Sequence, residues 1–134
     1  MAQVNWQIKT VRYQPTTLNA NVVDPIMNVS AGDLIGPIFA RTIVAFDGSG
    51  TAAIIELGDD GDADRFLDGG EVDEETAGSF VRAIGASGGG YVLYRNHLYT
   101  AANTIDVNFT ADTNADSTVG AMEFIIWWAK VRPF

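Results

Sequence analysis

No cysteine occurs in the 134 residues, which excludes a thiol nucleophile, a thiolate metal site and any disulfide, and leaves the redox compartment unread. Histidine occurs once, at His97. Any mechanism that needs an imidazole must therefore use that residue, and a zinc site built on two imidazoles is ruled out. Lysine occurs only at positions 9 and 130, and eight basic residues face seventeen carboxylates, for a formal charge of −9. Such a field repels phosphate backbones, so nucleic acid is not an expected partner. Long apolar runs are also missing. The longest strongly apolar stretch, residues 124–129, falls far short of the roughly 20 residues that cross a bilayer, and MAQVNWQIKTVRYQ has no apolar core behind a basic start. The expectation is a soluble, unprocessed chain with no membrane partner. There is no internal repeat and no linker, so a single domain over 1–134 is expected, large enough to bury roughly two thirds of the surface of its unfolded chain.

What is present is strand signal. Segments of four to eight residues with alternating apolar placement, separated by Gly, Asn, Asp and Ser, recur from end to end, while no convincing long helix is seen. Candidates fall at 4–13, 18–23, 34–46 (split by Gly36-Pro37), 51–57, 79–84, 91–94, 98–100, 104–110 and 121–131. Asp47-Gly48-Ser49-Gly50 predicts a hairpin that pairs 51–57 back onto the strand before it. One helical turn is expected at 74–78. In the last segment Phe124, Ile126 and Trp128 alternate with Ile125, Trp127 and Ala129, so both faces are apolar and the strand belongs in the middle of a sheet with something packed on each side. About eight strands with irregular connections predict an all-β, antiparallel two-sheet sandwich, jelly-roll-like.

Candidate chemistry is sparse. ELGDDGDADRFLDGGEVDEE at 56–75 holds ten of the seventeen carboxylates. Asp60, Asp62 and Asp64 alternate as the first ligands of a calcium loop do, and Glu71 falls where the distal bidentate carboxylate belongs, but Arg65 occupies the turn that needs glycine. These four are weak metal candidates, and the stretch is expected to be a solvated excursion between sheets. No carboxylate pair is marked out for glycoside hydrolysis. His97 in YRNHLY reads as a turn residue, with no Gly-x-Ser-x-Gly elbow to serve. The turn Gly85–Gly90, GASGGG, lacks the Lys-Ser or Lys-Thr of a phosphate loop and leads into a strand. No catalytic residue and no cofactor site is predicted. Adjacent strand residues point to opposite faces, so only one of Trp127 and Trp128 can sit in the core of a single sandwich. The other needs a cover: a further layer, a neighbouring subunit or the 130–134 tail.

IVAFDGSGTAAIIELGDDGDADRFLD at 43–68 and YTAANTIDVNFTADTNADSTVGAMEFIIWWAKV at 99–131 carry a resemblance in texture and order. The first resembles the strand, Asp-Gly turn, strand, acidic loop order of the small β-sandwich virion structural proteins of tailed bacteriophages that decorate or cement a capsid. The second is similar to their closing hairpin with a polar turn. That resemblance implies a non-enzymatic protein on the capsid surface of the virion, present in many copies. It implies a homo-oligomer, often a trimer, whose partner is the major capsid protein. It puts Trp127 or Trp128 with Ile125 at a subunit interface and uses Val4, Trp6 and Ile8 to reach a neighbour. Two other readings stay open: a tail, neck or fibre component, and a carbohydrate-binding module that stacks sugars on Trp6, Tyr91, Tyr94 or Tyr99.

Overall fold

The computed structural model describes residues 4–83 and 96–131. The GASGGG turn and the segment holding Tyr91 and Tyr94 lie outside them. Within them are nine strands and no helix: β1 (Gln7–Tyr13), β2 (Val22–Val29), β3 (Asp33–Val44), β4 (Ile54–Asp59), β5 (Asp62–Leu67), β6 (Phe80–Ala83), β7 (His97–Leu98), β8 (Asn103–Thr110) and β9 (Ala121–Lys130). They form two antiparallel sheets. One runs β1-β9-β3-β6, with β7 also on β3, and the other runs β2-β8-β4-β5. The all-β, antiparallel two-sheet sandwich expected from the alternation is therefore present. β9 lies centrally, between β1 and β3.

Several local expectations are overturned. Asp47-Gly48-Ser49-Gly50 is not a hairpin, because β3 and β4 belong to different sheets. Its groups are taken by another loop: Asp47 Oδ1 accepts from the Thr118 N–H at 2.7 Å, and the Gly50 N–H donates to Asp112 Oδ2 at 3.0 Å. Likewise β8 and β9 do not close a hairpin, since their connection crosses from one sheet to the other. Gly36-Pro37 does not split β3; the pairing with β9 absorbs it as a register shift between Ile35 and Ile38. The candidate strand at 18–23, which Asp24-Pro25 is expected to end, is instead β2 at Val22–Val29; Pro25 lies within it, because β2 is an edge strand and can spare one N–H. Residues 74–78 form turns rather than a helical turn. The acidic stretch is not a loop at all over its first half. Asp60-Gly61 joins β4 to β5 as a tight hairpin, with Asp59 Oδ1 accepting from the N–H groups of Gly61 and Asp62, each at 3.0 Å.

The core lies between the sheets. Met122, Phe124 and Ile126 of β9, with Ile35, Ile38 and Ala40 of β3, meet Ile105, Val107 and Phe109 of β8 and Ile55 and Leu57 of β4. Each large member contributes about 1.5–3 kcal/mol by leaving water. Trp128 packs against this cluster from its rim. A buried Asp24 ties the sheets together on one side, accepting from the Tyr13 hydroxyl at 2.7 Å and from the Thr16 hydroxyl at 3.0 Å.

Candidate functional site

Every second residue of β9 that does not enter the core emerges on the opposite side of its sheet. Glu123, Ile125 and Trp127 are half-buried there. Register places their neighbours: Ile8 opposite Trp127, Thr10 and Phe39 flanking Ile125, and Arg12 and Arg41 flanking Glu123. On β6, Arg82 lies opposite Phe39 and Phe80 opposite Arg41. Residues directly paired across antiparallel strands share a face, so these side chains form one continuous outward surface. Its middle is apolar. The rings of Phe39 and Phe80 stack with centroids 5.7 Å apart, yet Phe80 and Ile8 are each 56% exposed.

Trp6, just before β1, lies over the same face. A Cβ at Gly36 would come within 2.7 Å of the indole, so the missing side chain at the β3 register shift is what seats the ring. Trp6, Pro37, Phe39, Arg82 and Trp127 line an open groove of about 320 Å³. The Arg41 guanidinium bonds Glu123 Oε1 at 2.9 Å at the edge of the patch. Among the described residues, three arginines and one carboxylate on this face leave it formally positive on a chain whose total is −9.

Of the interface candidates, Ile125, Trp127, Ile8 and Trp6 thus lie on one face, and Val4 is exposed just before them. Trp128 does not join them; it turns inward. Sequence reasoning missed Phe39, Pro37, Phe80 and Arg82. Phe39 is hidden in the run IGPIFARTIV, where alternation does not say which side is covered.

The metal candidates do not converge. Asp60 Oδ1 accepts from Asn103 Nδ2 at 2.7 Å, and Glu71 Oε2 accepts from the Asp68 N–H at 2.6 Å. On β5 the neighbouring Asp62 carboxyl raises that of Asp64 above its ordinary value, as does burial. Glu56, on β4, is also raised, by burial and then by the charges of Asp64 and Asp68. Among the described residues no three His, Asp or Glu side chains are grouped to hold a metal ion.

His97 is placed by β7 beside a satisfied polar cluster. Arg65 Nε donates to Asp59 Oδ2 at 2.8 Å, the Tyr99 hydroxyl donates to the same oxygen at 2.8 Å, and Arg65 Nη1 lies 3.5 Å from His97 Nδ1. Burial would raise the Asp59 carboxyl, but Arg65 and Tyr99 outweigh it and hold it below its ordinary value. Burial and the Arg65 charge lower His97, so the neutral imidazole accepts at Nδ1. The remaining ring contacts are the edges of Phe66 and Tyr99. This arrangement ties the β4–β5 hairpin to β7. Tyr99 itself is buried, so it cannot serve as a sugar platform.

No family model matches the chain, and no curated protein matches it. Solved structures do. A chain of the cyanophage Pam1 capsid asymmetric unit superposes with a TM-score of 0.62 at 16% identity, over 95% of this chain and 84% of that one. A chain of the acidic stable capsid structure of Helicobacter pylori bacteriophage KHP30 superposes with a TM-score of 0.62 at 10% identity, over 92% of this chain and 86% of that one. At such identities the likeness is one of fold.

Proposed function

We propose that the chain is a structural protein of a phage virion: a decoration or cement protein that binds the outer surface of the capsid as a homo-oligomer and stabilises the shell without catalysis. The observation that carries this reading is the fold shared along nearly the whole chain with chains of two phage capsids. The trimer and the major capsid protein as partner come from the resemblance of residues 43–68 and 99–131. Mechanistically, a protein that binds only the assembled shell opposes its rupture by mass action. Modest contacts made by several copies at once multiply through effective concentration.

The test uses shells of the encoding virus prepared without this chain, mixed with the purified protein and imaged by cryo-electron microscopy. Density at repeated lattice positions, with a higher temperature of shell disruption, is the expected result. Density confined to a tail or neck would transfer the protein to the tail reading, and no density with binding on a glycan array would transfer it to the carbohydrate reading.

A further inference from the structure

We infer that the outward face of the β1-β9-β3-β6 sheet is the surface that lies on the shell, seated on an apolar patch of the capsid edged by carboxylates, with the β2-β8-β4-β5 sheet turned to solvent. The inference rests on the decoration reading and adds to it an orientation and a partner chemistry.

Composition marks the face first. Tryptophan, phenylalanine and arginine concentrate there while lysine is absent, the bias that distinguishes the energetic centre of protein interfaces from ordinary surface. Charge then narrows the occupant. Among the described residues paired across the face, Arg12, Arg41 and Arg82 outnumber Glu123, so the surface it fits brings carboxylates. A second copy packed through the same face would bring arginines instead. Nor does the acidic β5–β6 loop of a second copy supply the apolar half of the match. The exposed residues of the β5–β6 loop include Asp73, Glu75, Thr76, Ala77 and Gly78, with no large apolar side chain among them.

Size points the same way. Four strands spaced about 4.8 Å apart and about seven residues long at roughly 3.4 Å each give a flat footprint of about 450 Å². That is the scale of a functional patch on a monomer and small beside the roughly 800 Å² per partner of a stable pairwise complex. A contact of this size holds when it is repeated, as on a lattice. The other broad face has the opposite character: Glu56 of β4 lies among the carboxylates of Asp64 and Asp68.

Phe80→Asp and Arg82→Glu test the inference, with Val23→Asp on the opposite sheet as control. Phe80 and Val23 are 56% and 59% exposed, so the folded state, checked by circular dichroism, should survive each change. Binding to shells made without the chain is measured by co-sedimentation. The expected result is at least a tenfold weaker affinity for both face variants, an unchanged affinity for Val23→Asp, and weaker wild-type binding as salt rises. Undiminished binding of both face variants overturns the inference and leaves the decoration reading standing. A solution oligomer that the face variants dissolve without loss of shell binding also overturns it and gives the face to a second copy. Wild-type protein that does not bind shells removes the decoration reading and the inference together.

Discussion

Glu74 shows how a single residue can be unreadable in sequence and decisive in structure. It sits in the acidic run EVDEE, yet its side chain is buried and accepts from the Ile55 N–H at 3.0 Å, while its carbonyl accepts from the Phe46 N–H at 3.0 Å. The β5–β6 loop is thereby sewn to the start of β4 and to the chain leaving β3. Burial raises its carboxyl to about 7 against the ordinary 4.5; the Ile55 bond opposes this, and the charges of Asp73 and Glu75 add to it. The unfolded chain loses this proton near 4.5 and the native state keeps it until about 7. Stability from this group is therefore complete below 4.5 and falls as pH rises through 7, by about 3 kcal/mol at most. Glu74→Gln keeps an acceptor for Ile55 and removes the charge. Urea unfolding should show the variant more stable than wild type by about 1–3 kcal/mol at pH 8 and equal to it at pH 4. Four carboxylates in five residues look alike in sequence; only tertiary register selects the one that goes inside.

At the scale of elements, the Asp-Gly pairs at 47–48 and 60–61 show the limit of turn chemistry: the first reads as a hairpin turn in the sequence, and the second only as part of a solvated acidic excursion. The first has clean alternating strands on both sides and predicts a hairpin, but its flanking strands serve different sheets and its carboxylate docks the β8–β9 connection. The second makes the hairpin, with its apolar support far from the turn, at Ile55 and Leu57 on one strand and Phe66 and Leu67 on the other. Gly58 is the residue that permits it. A Cβ there would lie 2.1 Å from the Asp62 carbonyl oxygen and 2.4 Å from the Ala63 carbonyl carbon, at the register shift between Leu57 and Asp59. Both obstacles are backbone, so neither can rotate away. Gly58→Ala should cost about 2–3 kcal/mol by urea unfolding, whereas Gly70→Ala, with nothing within 4 Å, should leave stability unchanged. β9, by contrast, was legible as a central strand. Two interleaved apolar periods over residues 124–129 describe a strand with apolar side chains on both faces, although they do not say which tryptophan enters the core.

On the whole molecule, charge is sorted by face, and this was the least legible feature, because sequence yields a total and not a distribution. The seventeen carboxylates repel one another across a 14.4 kDa body, while three arginines gather on the apolar face. Repulsion between exposed charges is screened over about 10 Å at 0.1 M salt. Added salt therefore relieves the native state more than the expanded unfolded chain, in which the same charges stand farther apart. Raising sodium chloride from about 20 to 500 mM should lift the melting temperature of the isolated protein by about 2–4 °C, of the order of 1 kcal/mol for a chain of this size. The same change should weaken attachment of the positive face to a partner carrying carboxylates, because there the screened interaction is attractive. Calorimetry and shell co-sedimentation along one salt series should thus move in opposite directions. A fall in both would mean that attraction, and not repulsion, dominates within the fold, and the face-by-face sorting of charge would then have no consequence for stability.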